Sequence, residues 1–445
     1  MSQDLLTKCA SGIEKEYRSK TRKSREMLAE ASHFVSGGVT RDTNWWRPYP
    51  VFVERGEGCK LYDIDGNEYI DYNNNFTALL LGHAHPKITA AIQEAAPVLH
   101  SAGAATESVH QWAKLICERY PSVDSVRFCC SGTEAVMFAC RAARAYTNKS
   151  KIIKQVGSYH GTIPEMEVGM QTSQRGIPSH AGDDIVLADL FDRQNVEYLF
   201  EENKDDLAGL LVNGVWFSTG DDTLQFLRDL TNSYHVPLIM DEVMSYRFAM
   251  GGAQEYFGVE ADISAFGKFL GGGGLACGAF GGRREIMDLF NFQTQQEPVH
   301  HAGCFAANPI TVAAGITGLR EMTPALLQRL NGLGSRLKQG FIDALVGRNV
   351  RGYVIGEGSL VLIGLGEPTR DPRRALTPPA QKEIMRLLGL AMLNKGNFTP
   401  ANGTLWALSA PMTEAIIDKT LEDFNQTLDD LLDVMKSAAP ELIAG

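Results

Sequence analysis

Leu238-Ile239-Met240 runs directly into Asp241-Glu242-Val243, and further on Ala265-Phe266-Gly267-Lys268 leads toward four consecutive glycines, Gly271 to Gly274. An acid and an amine, each closing a short apolar run, are the two groups that pyridoxal phosphate chemistry requires. A buried carboxylate beside the pyridine nitrogen keeps that nitrogen protonated, which lets the ring draw electrons from a bound substrate; Asp241 is the candidate. A lysine must engage the cofactor's aldehyde and afterwards move protons. An amine of ordinary pKa, ~10.4, is a poor base at neutral pH unless its surroundings depress it; Lys268 is the candidate. A third segment suits a phosphate. Val126 to Cys130 reads as a strand, Ser131-Gly132-Thr133-Glu134 as a turn, and Ala135 to Tyr146 as an apolar, Ala-rich helix. Unpaired N–H groups in the first helical turn and the positive end of the helix dipole favour an anion there, with Gly132 permitting close approach and Thr133 adding a hydroxyl. The same residues satisfy a capping box, Ser131 as N-cap with Glu134 three residues on, so helix capping is the alternative reading.

The elements that must position these residues follow from the pattern. Apolar strands at Ile185 to Leu187, Lys151 to Val156, Leu207 to Val212 and Pro237 to Asp241 alternate with helical stretches between about residues 75 and 310. That alternation predicts a mostly parallel sheet flanked by helices, with the site at the carboxyl ends of its strands. A helix near Ala307 to Met322 leads out. Residues 1 to about 35 read as charged helix, Gly37-Gly38 as a break, and Asp63 to Asp71 as a hairpin around Asp65-Gly66. Gly358 to Ile363, a Pro-rich patch at Pro372 to Pro379 and a last helix with Ile417, Leu421, Phe424, Leu428, Leu431 and Met435 at helical spacing predict a smaller α/β unit. The expected division is 1–74 as an N-terminal segment and part of the small domain, 75–322 as the large domain, and 323–445 as the C-terminal small domain.

Composition sets outer bounds. At 445 residues and 44% hydrophobic content the chain exceeds one ordinary domain and can bury large cores. No apolar run approaches the ~20 residues of a membrane span, and Met1-Ser2-Gln3-Asp4 lacks the basic-then-apolar order of a secretion signal, so the chain is expected to be cytoplasmic. Eight cysteines show no zinc spacing, and several lie inside apolar segments, as small core residues of a reducing compartment do. His83, His85 and His160 form no metal-ligand pattern and are read as structural. A net charge of −11 argues against nucleic acid or anionic membrane as a partner.

The motifs together carry a resemblance. Ser131 to Ala135 (SGTEA), Tyr159-His160-Gly161, Asp241-Glu242-Val243, Phe266-Gly267-Lys268 and Ala307-Asn308-Pro309 stand in the order and approximate spacing of the class III pyridoxal phosphate enzymes, which are fold type I aminotransferases. The resemblance covers nearly the whole chain, including Tyr62 to Asp71 and Gly82-His83-Ala84-His85-Pro86. Gly278 to Arg284 looks closest to the branch holding glutamate-1-semialdehyde aminomutases and β-amino acid aminotransferases. The resemblance implies Lys268 as the Schiff-base lysine, Asp241 as partner of the pyridine nitrogen, Val243 on one ring face and Tyr159 on the other. It implies Ser131, Gly132 and Thr133 at the phosphate, the two chain ends joined in the small domain, and an active site completed across a homodimer.

Departures from the family pattern are equally informative. Where class III members carry Gly-Thr-Phe, with the threonine reaching the phosphate of the neighbouring subunit, this chain has Gly303-Cys304-Phe305, and a thiol is the weaker donor. Where relatives carry Glu-Pro it has Asn213-Gly214. From Gly396 to Thr413 there is no charged residue, where aminomutases place an acid and β-amino acid aminotransferases an arginine. Arg41 aligns with the N-terminal arginine that grips carboxylates in this branch, and two parallel hydrogen bonds suit a guanidinium to that task; a solvated arginine or a partner for Asp42 is the alternative. Arg47 is the understudy, and Asn75, Phe76, Trp45 and Trp46 are expected near the substrate, the tryptophans also as core. The expected function is amino-group transfer between small amino and keto (or aldehyde) substrates by a ping-pong route through Lys268. The alternatives are an intramolecular aminomutase or a racemase on the same scaffold, and a catalytically idle cofactor-binding protein.

Overall fold

The computed structural model describes residues 2–170, 172–367, 378–399 and 403–444. Contacts divide the chain into two units, Pro86–Leu327 and a second built of both chain ends, Met1–His85 with Gln328–Gly445. Residues 75 to 85 therefore count with the unit of the ends. The reason is local: Ala410 N–H bonds Leu80 O, and Gly58 and His83 exchange backbone hydrogen bonds.

The larger unit is organised by a seven-stranded sheet: β1 (Ser125–Cys129), β2 (Lys151–Gln155), β3 (Ile185–Ala188), β4 (Leu207–Asn213), β5 (Leu238–Asp241), β6 (Ile263–Gly267) and β7 (Gly278–Gly282). Their spatial order is β1-β7-β6-β5-β4-β2-β3, with β7 antiparallel to both neighbours and the remaining pairs parallel. Helices α1 (Gly132–Thr147), α2 (Arg193–Asn203) and α3 (Thr223–Ser233) cover it. Side chains alternate between the two faces of the sheet, and each face has its own core. Ile152, Leu211 and Ile239 pack with Ala135, Ala139 and Ala143 of α1, whereas Ile153, Leu210 and Met240 pack with Val196 and Phe200 of α2 and Leu227 of α3. That is why these strands read as unbroken apolar runs. α1 begins earlier than expected because Ser131 caps it, its Oγ accepting from Glu134 N–H at 3.2 Å.

In the unit of the chain ends, strands Val53–Glu57, Lys60–Asp63 and Glu68–Asp71 form an antiparallel meander, and Asn397–Phe398 joins it in parallel. Tyr17, Tyr49 and Leu61 from the front of the chain share a core with Leu390 and Leu393 from its rear, which binds the two ends into one body. The expected charged helix is two helices, Ser2–Lys20 and Arg22–Ala31. Helices Pro379–Asn394 and Glu414–Ala438 and the strands Gly352–Ile355, Leu360–Leu365 and Leu405–Ala407 complete it. Of the Pro-rich patch, Pro372 to Thr377 lies outside the described residues, as do residues 400–402 of the uncharged stretch.

Candidate active site

Parallel strands deliver their last residues to one edge of a sheet, and here that edge collects polar groups from β1, β2, β4, β5 and β6. Asp241 ends β5 with 3% of its surface exposed. Its Oδ2 accepts from His160 Nδ1 at 2.8 Å and its Oδ1 from the Val243 N–H at 3.0 Å. The other ring nitrogen of His160 lies 2.7 Å from Ser158 Oγ, which donates to Gln155 O at 2.9 Å, at the end of β2. With the carboxylate ionised, His160 must present Nδ1–H to it, and this bond with the one from Val243 N–H fixes the carboxylate's orientation. Asn213, in register with Asp241 across β4 and β5, turns its Oδ1 onto the Val215 N–H at 3.2 Å.

Lys268 follows β6 immediately and sits at φ 52°, a left-handed conformation that a side chain adopts only under constraint from its surroundings. It keeps some solvent access, but protein atoms crowd its ammonium. Burial, and after it the Arg247 guanidinium, lower its pKa to about 8, against the opposing pull of Asp241. Arg247 is itself buried, and the same desolvation takes it down to about 9. Glu242, fully buried beside Asp241, is raised to about 7 by burial, against hydrogen bonds from Ser245 Oγ, the Ala253 and Gln254 N–H groups and the Gln254 side chain. These bonds tie the end of β5 to the turn Ser245–Arg247 and the helix Gly252–Phe257.

The start of α1 closes the arrangement. A Cβ on Gly132 would stand 2.9 Å and 3.0 Å from the two methyls of Val243, and one on Gly267 would stand 3.1 Å from the Gly132 Cα. Gly132, Val243 and Gly267 are thus packed at a distance only glycine permits. Thr133 is held by Gly161 in the same way, since a Cβ there would come within 2.7 Å of its Oγ1. Ser131 caps the helix as expected, but Glu134 Oε2 reaches back to Cys130 N–H at 2.6 Å, one residue before the N-cap amide that a capping box would use. Capping satisfies the amides of Cys130 and Glu134. The Gly132 and Thr133 amides, first and second in the helix, have no intrahelical acceptor, as in any first helical turn.

Lys268, Asp241, Val243, Gly132, Thr133 and Ser131 are therefore gathered on one edge. Tyr159 precedes His160 there and is half exposed. Cys304 is exposed and lines, with Arg127, His301 and Asn308, an open cavity of about 480 Å³ that neither Lys268 nor Asp241 lines. Arg41 and Asn75 belong to the unit of the chain ends, where Arg41 Nη2 donates to Asn75 Oδ1 at 2.6 Å. Arg47 is paired with Glu383 at 2.9 Å, and Trp46 packs edge-on against Phe398. Sequence reasoning missed three groups. His160 was read as structural although the Tyr-His-Gly triplet contained it. Glu242 was passed over beside Asp241. Arg247 carried no sequence signal, because only the fold brings its charge to Lys268. Among the described residues no group of His, Cys, Asp and Glu could hold a metal ion, and no helix is long and apolar enough to cross a membrane.

The donor set fits pyridoxal phosphate: a buried, oriented carboxylate, an amine shifted toward neutrality, a helix N-terminus, and an apolar side chain packed against it. Comparison with known proteins points the same way. The family described as aminotransferase class-III matches residues 43–403. A glutamate-1-semialdehyde 2,1-aminomutase of Acetivibrio thermocellus is 38% identical over 423 residues, covering 90% of this chain and 96% of the relative. Among solved structures, an omega-transaminase from Sphaerobacter thermophilus superposes with a TM-score of 0.86 at 35% identity, covering 92% of this chain and 97% of that one. A transaminase with PLP bound does so with a TM-score of 0.86 at 32% identity, over 93% and 98% of the two chains.

Proposed function

The chain belongs to the class III aminotransferases, and we propose that it moves the amino group of a carboxylate-bearing amine to a keto-acid or aldehyde partner. The family works with pyridoxal 5'-phosphate, which when bound supplies an electron sink and a temporary carrier for the amino group. Gly132 and Thr133 would hold its phosphate, with Ser131 setting the turn. Val243 and Tyr159 would flank its ring, Asp241 would face the ring nitrogen, and Lys268 would take its aldehyde. His160 donates to Asp241 Oδ2 and so aims the opposite side of that carboxylate. Lys268 Nζ is the proton carrier, because an amine with a pKa of about 8 can both accept and return a proton near neutral pH. Arg41 is proposed to grip the substrate carboxylate. Cys304 is proposed to approach the phosphate of a second subunit, which makes the working form a homodimer.

The observation that carries the reading is the depressed lysine just after β6 together with a buried, histidine-oriented carboxylate at the end of β5. An idle cofactor-binding protein is disfavoured because Lys268 and Asp241 are both retained. A second reading is favoured by a specific finding: the relative 38% identical over 90% of this chain bears the name of an aminomutase. Intramolecular exchange of the amino group needs the same residues and only one substrate. Incubation of the holoenzyme with glutamate 1-semialdehyde alone, beside incubation with paired amino donors and keto acids, separates the two. Turnover only when both partners are present is the expected result. Sustained isomerisation of glutamate 1-semialdehyde without a second substrate would replace the transferase reading with the mutase one, and no amino transfer under either condition would overturn both.

A further inference from the structure

Four consecutive non-glycine residues, Asn74, Asn75, Phe76 and Thr77, have φ of 49°, 48°, 53° and 78°. Single asparagines visit this left-handed region readily, but a phenylalanine and a β-branched threonine do not, and a whole turn of such residues persists only where surrounding bonds dictate it. Those bonds are present. Asp71 Oδ1 accepts from the Asn73 and Asn74 N–H groups at 2.9 Å and 2.8 Å, Asn73 Oδ1 accepts from Phe76 N–H at 2.6 Å, and Asn74 Nδ2 donates to Ala407 O at 2.6 Å. The turn presents two side chains to one arginine. Asn75 Oδ1 accepts from Arg41 Nη2 at 2.6 Å, and the Phe76 ring lies 5.4 Å from the Arg41 guanidinium carbon. On the other side, the single turn after Arg41 returns Asn44, whose Oδ1 accepts from Arg41 Nε at 2.9 Å.

Among the described residues every partner of this arginine is neutral. Several other arginines of the same unit meet carboxylates, Arg47 with Glu383, Arg336 with Asp418, Arg348 with Asp429 and Arg386 with Glu14, while Arg329 donates to the backbone carbonyls of Ala410 and Met412. Asp42, adjacent in sequence, is not within ion-pair distance of Arg41 among the described residues, so that alternative partner is not used. Two amide oxygens and a ring face fix the guanidinium without cancelling its charge, and Nη1 makes no hydrogen bond among the described residues. A carboxylate in place of Asn75 would hold the arginine equally well and neutralise it.

We infer that Asn75 is a positioning residue: the left-handed turn Asn74–Thr77 exists to bring a neutral amide to Arg41, presetting the guanidinium as an uncompensated receptor for a substrate carboxylate. This rests on the reading of Arg41 as the carboxylate grip. Calorimetric titration of the holoenzyme with 3-phenylpropanoate and with its uncharged analogue 3-phenylpropanamide tests it. The wild type should favour the carboxylate, and Arg41→Ala should abolish the preference. Asn75→Asp, which supplies the missing counter-charge, should weaken carboxylate binding by about 10-fold or more while leaving the amide's affinity unchanged. Asn75→Gly is at ease at φ 48° and should keep or raise the melting temperature, yet lower the preference several-fold by releasing the guanidinium. A preference lost in Arg41→Ala but intact in both Asn75 variants would overturn the inference and leave the grip standing. No preference in the wild type, including no binding of either compound, would overturn the grip and the inference together.

Discussion

Lys268 shows how the environment of one atom sets its chemistry. Its pKa of about 8 results chiefly from burial, with Arg247 pressing it down and Asp241 pulling it up. The sign of each change is therefore fixed. Neutral amine accumulates as pH rises through about 8, whereas an ordinary lysine at ~10.4 is ~99% charged there. Reductive methylation of the cofactor-stripped protein at that pH, read by peptide mass mapping, should label Lys268 at a higher rate per accessible amine than surface lysines. Asp241→Asn should move the labelling midpoint to lower pH, and Arg247→Gln should move it to higher pH. A midpoint near that of surface lysines, or shifts of the opposite sign, would contradict the desolvation argument and with it the use of Lys268 as a proton carrier.

At the scale of elements, the site depends on how closely a helix start can approach two strand ends. Gly132 of α1 touches Val243 after β5 and Gly267 at the end of β6, leaving no room for a methyl group. Gly132→Ala should cost about 1–3 kcal/mol of stability through overpacking and weaken phosphate retention, because the helix start must move away from the strands. Val243→Ala removes both offending methyls. The double variant Gly132→Ala/Val243→Ala should therefore be less destabilised than the sum of the single changes, a coupling readable in denaturant melts. Additive effects would mean that the helix start tolerates the methyl by shifting freely. Much of this element pattern was legible in the sequence, since a buried parallel sheet demands unbroken apolar strands and Ser131 with Glu134 announced the helix start. Its close approach to Val243 was not legible, because it joins residues more than a hundred positions apart.

For the whole molecule, Cys304 stands where the family pattern has a threonine. It is exposed, follows Gly303 in a turn closed by an Ala306 N–H bond to Gly303 O at 3.3 Å, and precedes Phe305, which is 68% exposed. On the homodimer reading, the thiol meets the partner's phosphate and gives a weaker hydrogen bond than a hydroxyl would. A hydrogen bond to a charged acceptor contributes about 1.5–3 kcal/mol, so Cys304→Thr should tighten cofactor binding by up to ~10- to 100-fold. It should also strengthen dimerisation, because a ligand held by both subunits links their association. Equilibrium dialysis and sedimentation of the two proteins read both effects. Equal dissociation constants would leave the thiol without a role at the phosphate.

The sequence by itself marked Asp241, Lys268 and the turn after Cys130, and the strands that lead to them, because these depend on local patterns: Asp241 and Lys268 each close an apolar run, and SGTEA joins a strand to a helix. It also put Arg41 and, separately, Asn75 near the expected substrate. Only the tertiary structure decided that His160 orients Asp241, that Arg247 bears on Lys268, and that a left-handed turn at Asn74–Thr77 gives Arg41 a neutral partner. Hydrogen bonds and Coulomb interactions act over a few ångströms whatever the separation along the chain. The groups they join here belong to different strands and turns, and a single sequence records no distance between them.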